Sequence, residues 1–229
     1  MIKLENIEVF NFKGAIRGMR NPLESWLKSD SKINFDGTFQ LGPNDLGLMR
    51  RLFLAGKDHR KFTRQILVSF DVTAPLYWFK EFDTYKVGTT ANSTSTMHKI
   101  HSKVFTKEMF VWNPVEDSST GDLIQLNRDN TLYTLNKLRE TYLETKDKEV
   151  WKLLIQTLPD SFIQKRHITC NYEVIYNMYF SRVNHKLTEW SKKTIYKILV
   201  KLWQIYKYIE KHSAYMETCA YLGFNAKNA

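Results

Sequence analysis

The stretch from Ile66 to Tyr85 constrains this chain more than any other. Ile66-Leu67-Val68-Ser69-Phe70-Asp71-Val72 has the β-branched and aromatic composition of a strand, while Leu76, Tyr77, Phe79 and Phe82, just beyond Pro75, recur at helical spacing. Proline fixes its own φ and lacks an N–H, so Pro75 suits the first turn of a helix and disfavours any continuation of the strand. The chain must therefore pass from strand to helix within a few residues. The spacing predicts a helix from Pro75 through about Tyr85.

The other predicted elements build around that junction. Ile2 to Phe12 alternates well enough for a strand, and Asn21-Pro22 marks a turn. A helix is expected from Gly42-Pro43-Asn44-Asp45, with Asn44 or Asp45 as its cap, Leu46, Met49, Leu52 and Phe53 on its buried face, and Gly56 at its end. A short helix is expected around Asp58 to Arg64. Gly88 through Ser95 reads as a small-residue loop, and residues 113 to 130, rich in Asn, Asp, Ser and Gly, as a surface loop between two helical halves. Thr131 to Leu158 is predicted helical with a break at Lys146-Asp147 and a stop at Leu158-Pro159. Arg166 to Cys170 has strand character, and Asn171 to Arg182 carries Val174, Ile175, Met178 and Tyr179 at helical spacing. Helices outnumber strands without strict alternation, so the expected class is α+β, helix-dominated with a small central sheet.

A chain of 229 residues suits one domain, here taken as 1–229. Its 34 Lys and Arg against 24 Asp and Glu leave a net charge of +10, which favours anionic partners without choosing among them. Much of the excess lies at Lys186, Lys192, Lys193, Lys197, Lys201, Lys207 and Lys211. Ile195, Ile198, Leu199, Leu202, Ile205 and Ile209 fall between these lysines, so 186–211 reads as a long amphipathic basic helix, a C-terminal extension with a solvated face. A nucleic-acid-binding stripe is the alternative, although helix-turn-helix, zinc-finger and RNA-recognition signatures are absent. The sequence shows no uninterrupted apolar run of about eighteen residues and no apolar leader over Met1 to Pro22, so neither a membrane span nor a signal peptide is expected. Cys170 and Cys219 match no metal-ligand or disulfide pattern, which points to a reducing, cytoplasmic compartment.

Candidate chemistry is sparse. Asp83 to His98 is dense in hydroxyl and small side chains, a composition that lets backbone amides approach a phosphate, with Lys86, His98 or Lys99 as nearby charge. It lacks the Gly-rich spacings of the common phosphate loops. Asp58-His59 and the pair His98, His101 find no third partner at ligand spacing, so no metal site is expected. Cys170, in a strand, reads as an inert buried thiol.

Two ordered motifs resemble the flavin-dependent thymidylate synthases. In that family a strand leads into an Ala-Pro pair, an Arg-Gln segment, an Arg-His-Arg triplet, then a Ser and Asn-Glu-x-Ser-x-Arg-Tyr. This chain has Ala74-Pro75, Glu81 in place of the Gln, Thr84-Tyr85-Lys86 in place of the triplet, Thr89, and Asn92-Ser93-Thr94-Ser95-Thr96-Met97-His98. The second motif is a Leu-Pro followed twelve residues on by Asn-x-Arg at the head of a helix with a later Asn, Arg and Gln-Trp. Here it is Leu158-Pro159, Asn171-Tyr172-Glu173, Asn177, Arg182 and Glu189-Trp190, with one extra residue before the Trp.

The resemblance covers about residues 58 to 190 and implies that family's fold. It also implies a homo-oligomer, a tetramer with sites between subunits. The implied reaction moves a methylene from methylenetetrahydrofolate to C5 of the uracil of dUMP, with reduced FAD as hydride donor and NADPH as the reductant of the flavin. It assigns Asn171, Asn177, Tyr85, Lys86 and Asn92 to the flavin, and Glu81, Ser95, Thr96 and Arg182 to the nucleotide. Arg182 would be the catalytic residue, a fixed guanidinium beside the uracil carbonyl. Family arginines that hold phosphates are replaced by Thr84, Met97 and Ile155, and a further one by Glu173. Lys86, Lys99, Lys165, Arg166, Arg17 and Arg20 are the candidates to compensate. A non-enzymatic relative that binds or sequesters a nucleotide or nucleotide-derived signal is the alternative, because a fold does not guarantee its ancestral reaction.

Overall fold

The computed structural model describes residues 2–37, 39–115, 118–182 and 184–190. In chain order the elements are β1 (Lys3–Phe10), α1 (Phe12–Arg20), β2 (Lys32–Ile33), β3 (Phe39–Gln40), α2 (Pro43–Leu54), α3 (Phe62–Gln65), β4 (Leu67–Pro75), α4 (Leu76–Phe82), β5 (Thr89–Ser93), α5 (Ser119–Thr145), α6 (Lys148–Thr157), β6 (Ile163–Asn171) and α7 (Tyr172–Arg182). Short 3-10 turns punctuate them. Four strands form one sheet in the order β1-β4-β6-β5, and β2 pairs antiparallel with β3, Lys32 opposite Gln40 and Ile33 opposite Phe39. The architecture is α+β, as the composition of elements predicts. No helix among the described residues is long and apolar enough to cross a membrane.

The strand-to-helix junction forms where Pro75 stands. Pro75 is the last residue of β4, with φ −71° and ψ 156°, and α4 starts at the next residue. The amides of Leu76 and Tyr77, which a first helical turn leaves without intrahelical acceptors, donate to the carbonyls of Phe162 and Asp160, both at 3.0 Å. α4 buries Trp78, Phe79 and Phe82, with the rings of Trp78 and Phe82 stacked 5.5 Å apart.

Three expectations are corrected. The helix from Pro43 forms, but neither Asn44 nor Asp45 caps it. Gly42 occupies the cap position, and the Asp30 carboxylate accepts from the amides of Asn44 (2.9 Å) and Asp45 (3.1 Å), so the cap comes from a distant loop that local spacing does not reveal. The expected loop over 113–130 is helical from Ser119, because the Ser118 hydroxyl accepts from the amide of Gly121 and starts α5. Composition misled here, since α5 is polar on most of its surface. The expected loop Gly88–Ser95 holds the edge strand β5, where threonines meet the backbone demands of a ladder. The break at Lys146-Asp147 stands: Lys146 is left-handed at φ 56°, and Asp147 caps α6 through the amide of Glu149. The basic helix expected over 186–211 lies, from residue 191 on, outside the described residues.

The chain divides into two compact units. One comprises residues 1–3, 72–84 and 92–167, and its core gathers Ile100, Phe105, Phe110, Leu135 and Leu154 beneath α5 and α6. The other comprises, among the described residues, 4–71, 85–91 and 168–190. There the face of α1 made by Phe12, Ala15, Ile16 and Met19 packs with Leu46, Met49 and Ile66. At the edge of that core Arg20 and Asp45 form a buried pair, Nε to Oδ1 at 2.5 Å, and the Asp45 carboxylate also accepts from the hydroxyls of Ser29 (2.7 Å) and Ser31 (2.5 Å).

Candidate functional site

The second unit brings Tyr85, Asn171 and Arg182 together. Arg182 is the last residue of α7, and its Nε donates to the Tyr85 hydroxyl at 3.0 Å. Its guanidinium carbon lies 5.6 Å from the Tyr85 ring centroid and 5.7 Å from that of buried Trp190, both within cation–π reach. A half-buried guanidinium held by a phenol and two rings has a fixed orientation, which suits a planar anionic or carbonyl-bearing group better than a mobile lysine would.

At the other end of α7, Asn171 Oδ1 accepts from the amide of Val174 at 3.0 Å and so caps the helix. Its Nδ2 faces Gly88: a Cβ on Gly88 would lie 2.7 Å from it, and Gly88 is left-handed at φ 78°. Glycine is required there on both counts. Thus the segment 85–88 runs along α7, meeting Arg182 at its C-terminal end and Asn171 at its N-terminal end. Asn177 is on the exposed face of α7, and Lys86 is exposed as well.

The remaining predicted residues belong to the first unit, and their polar groups are largely spoken for. Ser95 Oγ accepts from the amides of Met97 (3.2 Å) and His98 (2.8 Å), closing a local turn. Thr94 bonds β6 through its amide to Lys165 O at 2.8 Å, and Gln164 Nε2 donates to Thr94 O at 2.9 Å. Trp151 Nε1 donates to Met97 O at 3.0 Å. Asn92 is exposed on β5, whereas Glu81 and Thr96 are half-buried, with the Glu81 carbonyl accepting from the Thr84 hydroxyl at 2.8 Å. The stretch 83–98 is therefore a strand flanked by turns rather than an open cradle of amides.

Sequence reasoning missed Arg60. Where the resemblance sets an arginine, Glu173 is 10% exposed and receives Arg60 Nε at 3.1 and 3.0 Å, Arg60 Nη2 at 3.0 Å and the Thr63 hydroxyl at 2.7 Å. Arg60 also lies 4.5 Å from the Tyr176 centroid and 5.5 Å from that of Phe53. Glu173 at a buried helical position was the available signal, because a buried carboxylate demands a cation from elsewhere.

Arg166, a candidate to compensate, is likewise engaged by Asp83 at 2.8 Å and stacks 3.9 Å over Phe79. Arg20 is engaged by Asp45. Ile155 packs against the core of the first unit, and Met97 is half-exposed. Among the described residues no cluster of His, Cys, Asp and Glu could hold a metal. Cys170 is buried, and burial pushes its thiol up to about 12, so it is inert.

The fold these elements make is that of the flavin-dependent thymidylate synthases. Two solved structures of the flavin-dependent thymidylate synthase ThyX from Helicobacter pylori, both complexed with FAD and dUMP, superpose with TM-scores of 0.62 and 0.65. Identity is 15% in each case, and the matches cover 91% and 92% of this chain and 98% of either ThyX chain. No family model matches the sequence, and no curated protein matches it by sequence.

Proposed function

We propose that this protein binds a pyrimidine nucleotide at α7, with the Arg182 guanidinium beside a pyrimidine carbonyl. The observation that carries this reading is the fixed Arg182, held by the Tyr85 hydroxyl at 3.0 Å and flanked by the rings of Tyr85 and Trp190. It is supported by the likeness of fold, along nearly the whole chain, to enzymes crystallised with dUMP. A preset cation of this kind favours negative charge on the pyrimidine ring and costs little to reorganise.

FAD fits the chain's own residues poorly. Its diphosphate asks for cations, and the residues assigned to the flavin offer only Lys86, which is exposed, while Asn171 Oδ1 is committed to capping α7. Arg60 and Arg166 are paired to Glu173 and Asp83. The ancestral reaction, methylation of dUMP at C5 with FAD, NADPH and methylenetetrahydrofolate, is the second reading, favoured by the span of the fold match. A homo-oligomer belongs to both, and light scattering on an eluting column peak reads its order.

Colour and thermal shift separate the readings. The first predicts a colourless protein that dUMP stabilises and FAD does not, because a ligand that binds only the folded state raises the melting temperature. Bound oxidised flavin in the purified protein, together with dUMP-dependent release of tritium from C5, would establish the second reading instead.

A further inference from the structure

A separate pocket of about 310 Å³ opens among the N-terminal elements of the second unit, between α1 and the β2–β3 hairpin. Lys13, Arg17 and Arg20 reach it from one face of α1, spaced four and three residues apart, and Lys32 reaches it from β2. Trp26, Phe39, Ile16 and Ile33 supply apolar wall. None of the Arg182 group belongs to it.

The charge around this pocket is one-sided. Arg20 is balanced by Asp45, but among the described residues no ion pair engages Lys13, Arg17 or Lys32, and no acidic side chain lines the cavity. Three cations on one concave surface repel one another and concentrate anions. At the edge of the pocket Arg20 is 3% exposed: its Nε is on Asp45 and its Nη1 on Ser25 O at 3.2 Å, yet Nη2 is buried without a hydrogen-bond partner. A buried guanidinium N–H without an acceptor is costly, and folded proteins leave few such groups unsatisfied.

We infer that this pocket binds a phosphate monoester carrying a flat apolar group, with the phosphate among Arg17, Arg20 and Lys32 and the organic part against Trp26 and Phe39. A phosphate dianion offsets two of the three uncompensated charges. The cavity is larger than an inorganic phosphate needs, and its volume falls at the small end of ligand pockets. Trp26, half-exposed with its indole N–H on Asn21 Oδ1 at 2.8 Å, presents a ring for the organic group to pack on.

Calorimetric titration of the full chain with phenyl phosphate, inorganic phosphate and phenol tests the inference. Phenyl phosphate is expected to bind at least about tenfold more tightly than inorganic phosphate, and phenol not at all. Arg17 and Lys32 are exposed, so R17A/K32A should keep the fold, verified by an unchanged circular dichroism spectrum, and lose at least about tenfold in affinity for phenyl phosphate. Arg182→Ala should leave that affinity unchanged, which keeps this site's fate distinct from that of the α7 site. Absence of binding, a phenyl phosphate no tighter than inorganic phosphate, affinity indifferent to R17A/K32A, or affinity lost in Arg182→Ala would each overturn it.

Discussion

Arginines are where this chain spends its buried charge, and their partners differ in consequence. Arg60 and Glu173 are 14% and 10% exposed, and each would be stranded without the other. Glu173→Gln should therefore lower unfolding free energy by about 3 kcal/mol, at the modest end for breaking a buried pair, read from the urea midpoint. For Asp45, burial alone would raise the carboxyl's pKa, but hydrogen bonds from Ser31, Ser29 and Arg20 and the Arg20 charge together hold it below its ordinary 3.8. The unfolded state thus takes up the proton first as pH falls. The stabilisation is fully present above 3.8 and is lost as pH drops through the lower folded value. Asp45→Asn should be clearly less stable than the parent at pH 7, and the gap should narrow progressively below pH 3.8. Cys170, with its thiol pushed up to about 12, should resist a disulfide reagent at pH 8 in the folded C219S protein and react once urea unfolds it.

At the scale of elements, helix ends carry the instructive cases. The start of α2 depends on Asp30, so Asp30→Ala should cost about 1 kcal/mol although residue 30 lies outside that helix. Gly88→Ala should cost about 1–2 kcal/mol for its left-handed backbone, and should also displace Asn171, so the loss should exceed that of an ordinary loop substitution in thermal melts. The elements whose signals are local were legible in the sequence: the β4-to-α4 junction at Pro75, the break at Lys146-Asp147, and β6 running into α7. Those fixed by distant partners were not. Asp30 reaches α2 from fourteen residues away, β5 is a strand because β6 lies beside it, and Ser118 starts a helix within a stretch whose composition favours a loop.

Across the whole molecule, residues placed by one motif can be brought together by the fold or parted by it. Tyr85, Asn171 and Arg182 stand along α7, whereas Asn177 is on the exposed face of the same helix and Ser95 closes a turn of its own. Glu173 at a buried helical position signals a cationic partner, but that the partner is Arg60 was illegible because 113 positions separate them. The fold is shared with ThyX, while Arg60 and Arg166 are paired within the chain to Glu173 and Asp83, and it is this combination that supports the proposal of nucleotide binding without flavin. The most direct test is a calorimetric titration of dUMP into the full chain and into Arg182→Ala. Saturable binding by the parent, weakened at least about tenfold by the substitution, is the predicted result. Absence of dUMP binding by the parent, or equal affinity in the two proteins, would contradict it.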